Sequence, residues 1–349
     1  MTTRSDDRRG YLADLAEGVE RFLEPRRADC PWCGGRALVT RLVSPDIVQV
    51  KPGSFTLEEC RTCGHIFQNP RLTAEGLEFY YRDMYDGLGE KDTERVFRFT
   101  SKIYRRRARM VRRHASPRTW LDIGTGYGHF CRTARTILPD TRFDGLDLGA
   151  GVLKAQRRGW ITHAYQGLFP ELADRLPDPY DVVSMHHYLE HTVDPRREIA
   201  TAAAVLRPGG LLIIEVPDPG SIMGRLLGRY WVPWFQPQHL HLMPLDNLTA
   251  ALTDAGFQVV AVERQKADIG HDFVLAALVA INLLGPRPRR PWKDGPVTPV
   301  DRARFTVAMA LMPAALLTGF VLDLTVRPLL PRRSNAYRVL AAAPRRGRP

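Results

Sequence analysis

The chain has 349 residues, with 50 Lys plus Arg against 38 Asp plus Glu, for a formal charge of +12. At 44% hydrophobic and 25% charged it has ordinary globular composition, which excludes wholesale disorder. The polar, mixed-charge stretch Met1–Arg9 predicts no export leader. An excess of positive charge points to a polyanionic or anionic-surface partner. It is unevenly placed: residues 95–118 hold ten Lys/Arg and no acid, and residues 286–349 hold thirteen against three Asp, so the rest is net acidic.

In chain order, an N-terminal helix is expected within 1–27. A cysteine module follows over 28–70. Cys30-Pro-Trp-Cys33-Gly and Cys60-Arg-Thr-Cys63-Gly are two matched knuckles. Each Cys-x-x-Cys turn lets two thiolates grip one ion, and the following Gly supplies the tight backbone. The pair predicts a Cys₄ zinc ribbon with no open coordination position, so a structural metal. His65 is read as a bystander and Cys131 as core. Without an export signal the thiols imply a reducing, cytoplasmic compartment. Residues 71–115 read as a helical linker ending in a basic helix. There Arg105, Arg106, Arg107, Arg109, Arg112 and Arg113 form a solvated face, and Val96, Phe99, Ile103 and Met110 pack inward.

Strand and helix patterns alternate over 116–265. Thr119-Trp-Leu-Asp-Ile runs into Gly124-Thr-Gly126-Tyr-Gly128, with a helix from His129. Further strands are predicted at 143–147, 160–164, 181–185, 211–216 and 257–263, with a helix over 246–255 stopped by Gly256. This alternation predicts a parallel, doubly wound α/β sheet. Residues 266–334 form an apolar insertion with segments 273–284 and 305–326 around the basic linker Arg287–Lys293. Asn335–Ala343 supplies a final antiparallel strand before a basic tail.

The run Asp122-Ile-Gly-Thr-Gly-Tyr-Gly, with Asp147 after the next strand, resembles motif I of the class I S-adenosylmethionine (SAM)-dependent methyltransferases. Leu189-Glu-His-Thr-Val-Asp-Pro and Leu206-Arg-Pro-Gly-Gly-Leu-Leu-Ile-Ile-Glu-Val-Pro are similar to the family's strand-four and strand-five stretches. The knuckles, Asn69-Pro-Arg and Phe79-Tyr-Tyr-Arg-Asp-Met-Tyr resemble its zinc-ribbon branch, which includes sugar C-methyltransferases and polysaccharide- and glycolipid-cluster enzymes. The resemblance implies a Rossmann-like seven-stranded sheet with an N-terminal zinc ribbon. It also implies cofactor contacts from Asp122, Gly124, Thr125, Gly126 and Gly128, a ribose-binding Asp147, and Leu148 beside the adenine.

For proton removal the chain offers His186, His187 and His191 after strand four, and His239 and His241 further on. By position relative to Met243-Pro244, His239 resembles the catalytic histidine of the sugar C-methyltransferases. His187 is the second candidate, as a substrate or cofactor contact. The expected reaction is methylation of a saccharide, glycolipid or lipid-linked acceptor. An RNA methyltransferase and a non-catalytic SAM-binding scaffold are the alternatives. As helices, the apolar segments span roughly 18 Å and 33 Å. One crossing would put the last strand on the wrong side of the membrane from its sheet. A monotopic hairpin with arginines on anionic headgroups, at the inner face, is therefore expected over a true span.

Overall fold

The computed structural model describes residues 4–84, 89–177, 179–267 and 270–344, with side chains described outside 4–7 and 89–100. The elements, in chain order, begin with α1 (Arg4–Leu15), β1 (Leu38–Ser44), β2 (Phe55–Cys60), β3 (Ile66–Gln68), α2 (Ala74–Tyr81) and α3 (Gly89–Arg112). Next come β4 (Thr119–Ile123), α4 (His129–Ala134), β5 (Arg142–Asp147), α5 (Gly151–Arg157), β6 (Ala164–Gln166), α6 (Phe169–Leu172) and β7 (Tyr180–His186). After these stand α7 (Pro195–Val205), β8 (Leu206–Pro217), α8 (Ile222–Leu226), β9 (His241–Leu242), α9 (Leu245–Asp254) and β10 (Gln258–Glu263). The last are α10 (Asp272–Leu284), α11 (Pro299–Thr325) and β11 (Ala336–Ala342).

Two compact units result, and they do not follow the linear boundaries read from the sequence. The first joins Met1–Gly89, Pro219–Leu242 and Gly270–Asn335; the second joins Glu90–Asp218, Met243–Ile269 and Ala336–Pro349. The apolar insertion therefore folds with the cysteine module.

The second unit holds a seven-stranded sheet in the order β10-β11-β8-β7-β4-β5-β6. The β8-β7-β4-β5-β6 neighbours pair in parallel, while β11 runs antiparallel to both β8 and β10. The chain winds outward from β4 through β5 to β6, then restarts at β7 on the other side of β4. That reversal opens a crevice at the carboxyl ends of β4 and β7, where doubly wound sheets bind ligands. Trp120, Phe130, Phe143, Val182, Ile213 and Leu340 pack in its core. The third strand lies at Ala164–Gln166 rather than 160–164, because His163 turns back onto Asp144: its backbone and ring nitrogens lie 3.1 and 3.0 Å from the same carboxylate oxygen.

The basic helix is α3. Ile103 and Met110 are buried as expected, and Val96 and Phe99 lie outside the described side chains. Arg105, Arg106, Arg109 and Arg112 are exposed, but Arg107 is a correction to the solvated-face reading: it is buried. Its Nε donates to Glu215 at 3.1 Å, while Arg113 reaches Glu263 at 2.6 Å. Helical spacing turns Arg107 onto the face of Ile103 and Met110, so it needs an internal anion.

The first unit is built on a four-stranded antiparallel sheet, β1-β2-β3-β9. One apolar cluster gathers Tyr11, Phe22, Phe55, Leu72, Phe79 and Tyr80; another gathers Leu57, Ile66, Met223, Trp231, Trp234 and Leu242. The α10–α11 hairpin completes this unit. Arg304 on α11 caps the carboxyl end of α10 by donating to Leu284 O at 2.9 Å. At the other end Asp323 accepts from the backbone of Phe273 and Val274 at 3.1 and 3.0 Å, capping the start of α10. The helices touch closely there: a Cβ on Gly319 would sit 2.9 Å from Phe273 O.

Candidate functional site

The glycine loop follows β4 at the crevice. Gly124, Gly126 and Gly128 have φ of 72°, 53° and 75°, a left-handed backbone that glycine adopts without a steric penalty. Around Gly126 a Cβ would meet nothing within 4 Å, so the loop presents bare backbone to open space; at Gly124 it would strike the Tyr188 ring at 2.9 Å. Asp147 ends β5. Its two carboxylate oxygens accept from Gly126 N at 2.8 Å and Gly149 N at 2.7 Å, binding the two loops together. Burial pushes its carboxyl up, and those two N–H groups oppose the shift. Leu148 stands 67% exposed beside it.

Two residues of the expected cofactor set turn inward instead. Asp122 is buried and accepts from Ser184 Oγ at 2.5 Å, while Ser184 itself accepts from Trp120 Nε1 at 2.8 Å. The Thr125 hydroxyl lies 3.7 Å from the Cys131 thiol, in the core. Asp122 thus braces β4 against β7, and Thr125 borders the loop through its backbone.

His187 follows β7 with a left-handed φ of 51°. Its ring nitrogens lie 3.1 Å from Glu190 and 3.3 Å from Glu215. Burial pulls its pKa down, but the two carboxylates outweigh burial and carry it up to about 9. With a pKa raised to about 9, His187 is an imidazolium at neutral pH and has no lone pair for a proton; Nδ1 is bonded to Glu190, and Nε2 lies in ion-pair range of Glu215 without a hydrogen bond. Glu215 on β8 is held by Arg107 and, through Nε at 2.6 Å, by Arg338 on β11. Burial raises its carboxyl, yet these guanidiniums and His187 hold it well below the ordinary range. His186 is buried and neutral, pulled down to about 4 by burial and by Arg107. The Tyr188 hydroxyl donates to Glu198 at 3.1 Å, and burial raises that carboxyl to about 7. Sequence reasoning missed Glu215, Arg107, Arg338 and Glu198, because nothing in local spacing tells that these elements meet.

In the first unit His239 is buried, with Nδ1 2.8 Å from Pro233 O. A carbonyl can only accept, so Nδ1 carries a proton and Nε2 is the ring's other nitrogen. A pair of buried glutamines fixes this loop: Gln68 Nε2 donates to Gln236 Oε1 at 2.8 Å, and Gln236 Nε2 donates to His239 O at 2.8 Å. His241 lies 3.0 Å, nitrogen to nitrogen, from the buried His65.

The Sγ atoms of Cys30, Cys33, Cys60 and Cys63 all lie within 4.8 Å of one another. Cys30 and Cys63 are 3.8 Å apart, and Cys33 and Cys60 3.6 Å. A tetrahedron with ~2.3 Å zinc–sulfur bonds has edges of about 3.8 Å, so this donor set fits zinc. Both knuckles close alike, Gly34 N on Cys30 O at 2.9 Å and Gly64 N on Cys60 O at 2.7 Å.

A methyltransferase-domain family model matches residues 94–262. The malonyl-[acyl-carrier protein] O-methyltransferase of Alcanivorax borkumensis is 30% identical over 150 residues, covering 42% of this chain and 50% of that protein. The ubiquinone biosynthesis O-methyltransferase of Bordetella bronchiseptica is 26% identical over 176 residues, covering 47% and 72%. The match thus spans half the length of the first relative and under three quarters of the second. Among solved structures, a SAM-dependent methyltransferase from Archaeoglobus fulgidus is 18% identical with a TM-score of 0.44, covering 69% of this chain and 92% of its own. With the parallel sheet, its antiparallel β11 and the glycine loop at the crevice, residues 94–262 are a methyltransferase domain of the class I SAM-dependent fold.

Proposed function

We propose that this chain transfers a methyl group from SAM to a saccharide, glycolipid or other lipid-linked small molecule of cell-envelope biosynthesis, working at the inner face of the membrane. The observation that carries the methyl-transfer reading is the glycine loop tied to Asp147 at the carboxyl ends of β4 and β5. When bound, SAM supplies a methyl group carried on a sulfonium sulfur. Bare backbone at Gly126 lets a nucleoside approach, and the Asp147 carboxylate is the acceptor for a ribose diol. The exposed Leu148 offers an apolar platform next to it. His239, with its proton fixed on Nδ1, is our candidate for taking the acceptor's proton at Nε2. His187, a clamped cation, is assigned to positioning through Glu190 and Glu215. Both curated relatives are O-methyltransferases by name, which makes oxygen the first acceptor atom to test.

The Cys₄ cluster is read as a structural zinc site, with Cys30, Cys33, Cys60 and Cys63 as its ligands. Such a site leaves no position for a reactant.

The hairpin supports membrane contact. Residues Pro299–Leu329 are long and apolar enough to cross a membrane by length and composition, and 11% of their most apolar stretch is buried. Leu317, Phe320, Val321 and Leu324 are exposed along α11. β10 and β11 are paired neighbours, so the chain between them leaves and returns on one side. An interfacial hairpin meets both constraints. An RNA acceptor is less favoured, since Arg107 and Arg113 of the basic helix are spent on Glu215 and Glu263.

The test is calorimetry with SAM, followed by turnover of labelled SAM on envelope lipid and saccharide extracts. Saturable SAM binding with label in an organic-extractable or saccharide product supports the reading. Label in RNA alone, or binding without turnover on any acceptor, overturns the acceptor assignment.

A further inference from the structure

The loop between α10 and α11 carries Arg287, Arg289, Arg290 and Lys293 among four prolines, 286, 288, 291 and 296. Proline fixes φ, so this loop is stiff rather than a solvated tether. It is also pinned on both sides. Trp292 Nε1 donates to Val50 O at 3.0 Å, and its ring lies 5.4 Å from that of Tyr11. The Asn282 amide donates to the carbonyls of Ile47 and Val48 at 3.0 and 2.9 Å. Across the loop, Arg8 of α1 donates to Gly295 O at 3.3 Å, and Lys293 pairs with Asp301 in the first turn of α11.

These contacts border a half-open cavity of about 690 Å³ lined by Arg8, Arg289, Arg290 and Lys293, with prolines, Gly295 and Val297 for walls and no carboxylate among the described residues of its lining. Within it the Nε and Nη1 atoms of Arg290 are buried and have no hydrogen-bond partner. Asp301 and Arg304 also act on this guanidinium, with opposite signs, and Asp301 is already paired with Lys293. Leaving two buried N–H groups of a guanidinium unpartnered is costly, and Arg8 and Arg289 place further positive charge on the same cavity. A fold that rigidly maintains such an arrangement has a site complementary to an anion.

We propose that this cavity is a phosphoryl-binding pocket, taking a phosphate or pyrophosphate ester with Arg290 as its fork. A guanidinium edge matches two phosphoryl oxygens at once, and Arg8 and Arg289 add charge to that of Arg290 for a dianion. The volume leaves room for the group esterified to the phosphate. The same chemistry is carried by a phospholipid headgroup and by a soluble phosphorylated metabolite. The proposal stands apart from the methyl-transfer reading, because it uses none of the residues that reading invokes.

The test uses the full-length protein and two probes, inorganic pyrophosphate by calorimetry and phosphatidylglycerol vesicles by sedimentation, with phosphatidylcholine vesicles for comparison. Arg290→Gln and the double variant Arg289→Gln/Arg290→Gln are compared with Arg175→Gln, an exposed arginine elsewhere, and the thermal midpoint reports folding in each. The expected result is that Arg290→Gln weakens at least one probe about tenfold or more, at an unchanged thermal midpoint, while Arg175→Gln matches the native chain. An effect on pyrophosphate assigns the pocket to a soluble phosphoryl group; an effect on phosphatidylglycerol vesicles alone assigns it to a headgroup. If the native chain binds neither probe, or both Arg290 variants bind as it does, the proposal is overturned.

Discussion

His187 carries its proton into the alkaline range because two buried carboxylates face it, and this makes stability depend on pH. Its folded pKa of about 9 lies above the ordinary 6.5. The stabilisation is therefore complete below about 6.5 and is lost as pH rises through 9. At 1.36 kcal/mol per unit, the contribution is on the order of 3 kcal/mol. We predict that urea midpoints of the native chain fall between pH 6 and 9.5 by more than those of His187→Gln, which keeps a donor but cannot titrate. Equal slopes would mean that the ring is not charged in the fold. Asp147 makes a second prediction at this scale. Asp147→Ala removes the acceptor that ties Gly126 N and Gly149 N, so SAM affinity should drop about tenfold or more, read by calorimetry. Unchanged affinity would remove Asp147 from the cofactor site.

At the level of elements, the hairpin is held at its ends and bare in between. Asp323, an acid in the middle of an apolar run, is accounted for by the N-terminal amides of α10 that it caps. Asp323→Ala should cost about 1 kcal/mol or more, since it uncaps α10 and removes a carboxylate 3.9 Å from the buried Arg327. A lowered thermal midpoint checks this. The exposed face of α11 gives a sharper test of membrane contact than deleting the hairpin, because the first unit is built around it. Leu317→Asp/Phe320→Asp/Leu324→Asp should lose sedimentation with anionic vesicles while SAM affinity stays unchanged. Retained sedimentation would sink the interfacial reading, and a native chain that elutes as a dimer split by the triple variant would reassign the face to a second copy. The cysteine knuckles are the other element with a direct assay. Purified protein should carry one zinc per chain by atomic emission, and Cys60→Ser should carry far less. Metal-free native protein with an intact thermal transition would argue against a zinc ribbon.

Across the whole molecule, the +12 charge resolves into parts with different duties. Arg107 and Arg338 are internal counterions of Glu215, the exposed arginines of α3 remain a solvated face, and Arg8, Arg289, Arg290 and Lys293 gather around one cavity. Three of those four come from one loop and the fourth from α1, so no local charge count shows that they converge. The same is true of the first unit as a body, assembled from three stretches of chain.

Features set by near neighbours were legible from the residues alone. That β4, β5, β7 and β8 run parallel in a doubly wound sheet follows from short apolar runs separated by helical periods. The glycine loop follows from its spacing, and the paired knuckles from Cys-x-x-Cys-Gly, since these geometries are specified within a few residues. β6 was misplaced by a few positions because His163 is drawn back by Asp144, a contact between separate strands. Asp122 and Thr125 carry the motif's signature, yet only packing decides that their side chains serve the core rather than the crevice. The charge on His187, the burial of Arg107 and the unpartnered Nε and Nη1 of Arg290 are likewise products of tertiary structure. Each depends on the dielectric and the counterion found at one point in space, and residues far apart in the chain supply both.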